Sequence, residues 1–169
     1  SSAASDVYKR QVYGGFNTSL SWKGFDLSAI FAYSIGGYIY SRDITMILHN
    51  GSLEGRDWST EILRRWTPEN RYTDVPALST TSNNWNSAST RFLQNNSYMR
   101  LKNLTLSYNL PKQLISKLAL SSVQVFVQGD NLFTIHRNQG LDPEQGITGI
   151  TYYRYPAMRT ISGGINLSF

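Results

Sequence analysis

The stretch Tyr155–Phe169 reads YPAMRTISGGINLSF, and its alternation decides how the rest of the chain is read. Ile161, Gly163, Ile165, Leu167 and Phe169 fall on one side of an extended chain; Thr160, Ser162, Gly164, Asn166 and Ser168 fall on the other. A period of two marks a strand with one apolar and one small polar face. Chain ends ordinarily fray, yet the apolar side here strengthens up to the final aromatic. The expectation is the closing strand of an outer-membrane β-barrel, with outward residues meeting lipid and inward residues meeting a wet lumen.

Composition agrees with that expectation without requiring it. The 169 residues suffice for one domain with an ordinary core. Mean hydropathy is −0.34, and the longest apolar-rich run without charge, residues 27–41, is too short for a spanning helix and contains Gly36 and Gly37. Barrel strands escape such averages because every second residue is polar. The net charge of +5 is spread along the chain, so no basic block argues for nucleic acid. With no cysteine there is no disulfide framework and no thiolate metal site. No signal peptide opens the sequence, which leads to the expectation of a C-terminal fragment of a longer exported protein. The opening SSAASDVYKRQ has no apolar period, and residues 1–12 are set aside as linker or non-native sequence.

Further strands follow the same rule. Phe16, Thr18, Leu20 and Trp22 alternate with Gly15, Asn17, Ser19 and Ser21. After Lys23-Gly24, Phe25, Leu27, Ala29, Phe31, Tyr33 and Ile35 oppose Asp26, Ser28, Ile30, Ala32 and Ser34. A two-residue connection with Gly second predicts an antiparallel hairpin with positive φ. In SYMRLKNLTLSYNLP, Leu104, Leu106, Tyr108 and Leu110 form one face, but Met99 and Leu101 are out of phase with them. The mismatch predicts a bulge or an inward apolar pair. A fourth strand runs from Ser122 to about Phe133, with Val123, Val125 and Val127 opposite Gln124, Phe126 and Gln128. Connections alternate short and long, as periplasmic turns and extracellular loops do. Five strands cannot close a barrel, for which about eight is the minimum, so the missing strands are expected upstream.

The long excursion over residues 41–96 gathers the charge that the strands lack. Within it Asp57 is expected to cap a short helix whose stripe is Trp58, Ile62 and Trp66, with Glu61 pairing Arg65 and Thr67-Pro68 as its stop.

In combination and order, GGFNTSLSWKGFDLS, RRWTPEN with Val75-Pro76, SYMRLKNLTLSYNLP, VQGDNLFT, GLDPE and YPAMRTISGGINLSF resemble the C-terminal end of the SusC/RagA family of TonB-linked outer-membrane transporters. The resemblance covers residues 13–169. It implies the last strands of an all-β, antiparallel, up-and-down barrel of about 22 strands in a bacterial outer membrane. It also implies an absent plug and TonB-contacting region, a SusD-like surface lipoprotein as lid, and import of oligosaccharides or peptides.

Candidate functional residues carry alternative readings. Ile161, Ile165, Leu167 and Phe169 match the terminal signal read by the barrel assembly machinery, or form a lipid-facing row and nothing more. Trp58, Trp66, Arg71 and Trp85 offer aromatic and guanidinium anchors to a substrate or to the lid; the plainer reading is loop packing. Asp142 and Glu144 in GLDPE, near Asn138, are a possible cation set, but Pro143 argues for a structural turn. His49 and His136 are isolated, so no metal is expected. Asp130 is expected to end its strand and cap a turn at Asn131. Arg100, Lys102 and Arg159 are expected near the extracellular ends, reaching for the headgroup region. No catalytic motif and no cofactor-binding motif is present. The rival to the barrel is a soluble all-β glycan-binding module, a sandwich that buries its apolar face against a second sheet.

Overall fold

The computed structural model describes residues 11–51, 53–79, 81, 87, 89–115, 120–138, 142–144, 150–151 and 155–169. The chain divides into two compact units, one of which is built on a five-stranded antiparallel sheet. Its strands are β1 (Gln11–Trp22) and β2 (Phe25–Gly36), which β3 (Tyr38–Ser41) and β4 (Leu93–Asn95) of the other unit follow in sequence, then β5 (Tyr98–Asn109), β6 (Ser122–His136) and, after the other unit's two-residue β7 (Ile150–Thr151), β8 (Thr160–Ser168). The order β1-β2-β5-β6-β8 makes every sequential long strand the neighbour of the last. β1 takes in Gln11 and Val12, which the sequence pattern left ahead of the strand.

Alternation within each strand becomes a two-faced sheet because the registers align. Leu20 pairs with Leu27, Leu27 with Leu106, Leu106 with Val127 and Val127 with Gly163. The next row carries Ser21, Asp26, Ser107, Phe126 and Gly164 on the opposite face. The Lys23-Gly24 connection has φ of 47° and 89°, the left-handed pair that the right-handed twist of a hairpin requires. Packing on the polar face uses a missing side chain: the Phe126 ring lies over Gly164, where a Cβ would meet it at 2.9 Å.

The phase break in the third long strand is a bulge. Leu101 pairs with Phe31 while Asn103 pairs with the adjacent Ile30, so β5 holds one residue more than β2. β6 holds one more again, Asp130 pairing Asn103 and Phe133 pairing Leu101. Asn131 takes φ of 52° within this second irregularity. The shift returns Met99 and Leu101 to the apolar face and leaves Asn103 on the polar one. It also corrects two expectations: β6 runs through to His136, and Asp130 lies inside the strand, accepting a hydrogen bond from Asn103 Nδ2 at 2.7 Å instead of capping a turn.

A sandwich would seal the apolar face beneath a second layer. Here Val125, Leu106 and Ile165 are 41%, 47% and 62% exposed. No second layer among the described residues covers the apolar side of the sheet.

The other unit contains a small sheet in the order β4-β3-β7, with β3–β4 antiparallel and β3–β7 parallel. Its core is Ile39, Leu48, Ile62, Val75 and Phe92. A helix over Arg42–Ile47 is capped by Ser41, whose Oγ accepts from Ile44 N at 3.1 Å. The expected helix after Asp57 is instead a 3-10 turn over Thr60–Arg64, capped by Ser59. With three residues per turn, Glu61 faces Arg64 at 3.7 Å and not Arg65.

Candidate functional site

The polar face of the five-stranded sheet carries hydrogen-bonded amides, hydroxyls and two carboxylates, with Ile30, Ala32 and Phe126 set among them. Asp26 accepts from Ser21 and, at 2.7 Å, from Asn109 Nδ2. Asp130 accepts from Asn103 and Gln128. Gln124 links Ser107 on one side to Asn166 on the other, at 3.3 and 3.1 Å. Each strand contributes short polar side chains to this face, so the surface is wettable, and Asp26 and Asp130 leave it mildly acidic.

At the end of the sheet away from the Lys23-Gly24 turn, the polar face carries an ionic clasp. Arg100, only 3% exposed, donates from Nε to Thr134 Oγ1 at 2.9 Å and from its two terminal nitrogens to Asp142 and Glu144. Lys102, the bulged residue, reaches Glu144 as well. Asp142 further accepts from the backbone N–H of Glu144 and Ala157, at 2.9 and 2.7 Å. Burial pushes the Asp142 carboxyl up, but those two backbone donors and the Arg100 guanidinium outweigh it and hold the group below the usual carboxylate range. Pro143 is fully buried between the two acids.

The clasp settles two of the sequence alternatives. Asp142 and Glu144 are consumed by Arg100 and Lys102 on either side of a bend at Pro143; Gly140 and Leu141 of the GLDPE stretch lie outside the described residues. Arg100 and Lys102 do not reach outward for headgroups; the bulge turns them onto the polar face, where the two acids hold them. Among the described residues no group of three or more His, Asp or Glu side chains is arranged to hold a metal. Sequence reasoning missed the clasp because its partners stand 42 and 44 residues apart, with no local pattern linking them.

Beside the clasp β8 parts from β6, whose last shared pair is Asp130 with Thr160. A cleft of about 440 Å³ opens there, lined by Arg100, Phe133, Thr134, His136, Pro156 and Arg159 among others.

The loop residues are not drawn into one constellation. Trp58 is half-exposed and donates from Nε1 to the buried His49 Nδ1 at 2.9 Å, their rings 5.2 Å apart. Trp66 is exposed to the same degree, its backbone N–H bonded to Val75 O, and Arg71 folds back to Pro68 O at 2.9 Å. Only Ile62 of the expected stripe is buried. Trp85 lies outside the described residues. On β8, Ile161, Ile165 and Leu167 share the apolar face, pairing with Gly129, Val125 and Val123, and Phe169 stands 96% exposed beyond them.

No protein-family model matches the chain. TonB-dependent receptor P3 of Formosa agariphila is 33% identical over 166 residues, which cover 92% of this chain and 16% of that protein. TonB-dependent receptor SusC of Bacteroides thetaiotaomicron is 30% identical over 169 residues, covering 96% of this chain and 16% of its own length. Among solved structures, the RagAB peptide importer in its closed-closed state superposes with a TM-score of 0.81 at 35% identity, over 93% of this chain and 17% of the other. Its open-open state gives 0.82 at the same identity and coverage. The chain thus spans about a sixth of the length of these relatives. By sequence and by the superposition of its fold, it belongs to the SusC/RagA family of TonB-dependent receptors.

Proposed function

We propose that this chain is the C-terminal barrel segment, residues 13–169, of a transporter in a Gram-negative outer membrane that imports oligosaccharides or peptides. The observation that carries the reading is the aligned, exposed apolar face of five antiparallel strands backed by a mainly polar face. Such a surface is stable in hydrocarbon, where all backbone groups must pair within the wall and only the side chains of one face meet lipid. The lumen is then the polar side, with Gln124, Gln128, Asn166 and Ser168 among its lining. Its work is passage, so no catalytic role is assigned to any residue here.

In this reading a SusD-like lipoprotein and the TonB complex act on the full-length protein. Trp58, Trp66, Arg71 and Trp85 belong to its extracellular surface. Trp58 is the best-prepared of these, since the bond to His49 fixes its ring while leaving a face open for stacking. Cells lacking the full-length protein should lose growth on one oligosaccharide or peptide source, and cells lacking TonB should lose it equally. Restoring the protein with Trp58→Ala should recover less uptake than restoring the unaltered protein. Normal growth of the deletion strain on every such source, with its uptake unchanged, would count against the transporter reading.

Ile161, Ile165, Leu167 and Phe169 act as the strand read by the barrel assembly machinery. Removing Phe169 from the full-length chain should lower the amount of heat-modifiable, folded protein in the outer membrane several-fold. An undiminished folded band would reduce this row to lipid contact alone.

A further inference from the structure

We propose that the cleft beside Arg159 is a subsite for the C-terminal end of a transported peptide, with the terminal carboxylate held by Arg159. The inference rests on the transporter reading and narrows its solute to one chemical class. The lining of the cleft belongs entirely to the unit built on the five-stranded sheet. Arg100 and Thr134 pair across β5 and β6 on the polar face, His136 follows two positions along β6, and Arg100 draws Asp142 to the same side. A ligand of this cleft therefore arrives from the lumen, the side on which solute passes.

The charges select a monoanion. Arg100 spends its guanidinium on Thr134, Asp142 and Glu144. Asp142 is filled in turn by that arginine and by the backbone N–H groups of Glu144 and Ala157, so it has little left to offer a cation. Arg159 is exposed and forms no ion pair with the described residues. Its planar fork matches the two oxygens of a carboxylate. Thr134 Oγ1 accepts from Arg100 Nε at 2.9 Å, which leaves the hydroxyl hydrogen for a second bond to the same ligand. Arg100, Asp142 and Arg159 together give the lining one net positive charge, which a single carboxylate cancels and a phosphate, with about two charges, exceeds.

Size and walls choose the molecule that carries the carboxylate. The cleft's volume of about 440 Å³ stands near the lower end of ligand cavities, which run from about 300 to 1,000 Å³, and gives room for a chain end but not for a run of sugar rings. Pro143, Pro156 and Ala157 line it, and their side chains offer no hydrogen bond. A uronic acid seated on Arg159 would turn ring hydroxyls against that wall and strip them of water without replacement. The last residue of a peptide sets an apolar side chain there at no such cost.

The test incubates the full-length protein in detergent with two pools of random hexapeptides, one with free C-termini and one amidated and mass-labelled, and counts the retained peptides by mass spectrometry after gel filtration. The unaltered protein should retain free over amidated peptide by about tenfold, the worth of one charge-assisted pair. Arg159→Gln should bring the ratio close to one. Arg159→Lys keeps the charge without the fork and should give an intermediate ratio, while Lys23→Gln, at the opposite end of the sheet, should leave it unchanged. Equal retention of the two pools by the unaltered protein, a result that needs no variant to fold, overturns the subsite. So does a ratio that survives Arg159→Gln, and tighter retention of oligogalacturonate than of free peptide overturns the peptide assignment. The growth defect of the deletion strain is read separately. If it persists while the ratio is one, only the subsite falls; if the deletion strain takes up every source normally, the transporter reading falls and the subsite's role with it.

Discussion

Val127→Arg in the full-length protein should destabilise the inserted barrel by about 2–4 kcal/mol, the cost of a cation on the lipid face near the bilayer midplane. Val127 lies in the interior of β6, flanked by Leu106 on β5 and Gly163 on β8, and its side chain is exposed among other apolar side chains. An arginine there must leave its guanidinium in hydrocarbon or bend the bilayer to reach water. Ser162→Arg supplies the control. Ser162 pairs with Gln128 on the polar face, one position along β8 from the partner of Val127. The same charge there meets water and should change stability by no more than about 0.5 kcal/mol. Urea unfolding in lipid vesicles, followed by tryptophan fluorescence, measures both. In a soluble sheet with these exposures the two variants would behave alike, since both sites would face water. Equal, small effects would therefore remove the membrane reading, and a larger effect at Ser162 would invert the assignment of faces.

The faces themselves were legible before any coordinates, because a strand writes its two environments into alternate residues. Leu104 and Leu106 against Thr105 and Ser107 needed no partner to be read. The bulge at Lys102 was legible for the same reason: a slip in phase between Leu101 and Leu104 has to be absorbed somewhere in the strand. The hairpin at Lys23-Gly24 followed from local backbone preference alone. What escaped was everything set at long range. The small sheet joins Tyr40 to Leu93 and Ile150, segments too short for a period to show. Trp58, Ile62 and Trp66 fit a spacing of four and so predict an α-helix, whereas the chain forms a 3-10 turn over Thr60–Arg64 that buries Ile62 alone of the three. The place of Arg100 near a strand end is local information, and on that alone it points outward. Its true surroundings are fixed by carboxylates on another segment of the chain.

Arg100→Met should cost about 3–5 kcal/mol, the usual penalty for removing one partner of a buried ion pair and leaving the other uncompensated. The buried partner is Asp142, whose side chain is 7% exposed. Glu144 is better placed to survive the loss, being 35% exposed and held by Lys102. The single variant should therefore free residues 142–144 and Ala157, and amide hydrogen exchange at those positions in the full-length protein should speed up, while exchange in the middle of β5 changes less. Adding Asp142→Asn removes the stranded charge but keeps an oxygen for the Glu144 and Ala157 N–H groups, so the double variant should recover part of the loss. The pH dependence follows from the sign of the shift. Asp142 is held below its ordinary range, so its contribution is complete above the unfolded-state pKa of about 4 and disappears as pH falls through the lower folded-state value. Exchange at Ala157 in the unaltered protein should accordingly stay slow through mild acidity and quicken only in strong acid. In Arg100→Met, where burial is no longer opposed by the guanidinium, that quickening should move to higher pH, because the charged form has lost a partner and kept its desolvation. An acid step that does not move when Arg100 is replaced would mean that the backbone donors alone hold Asp142, and that the arginine is packing and not the centre of the clasp.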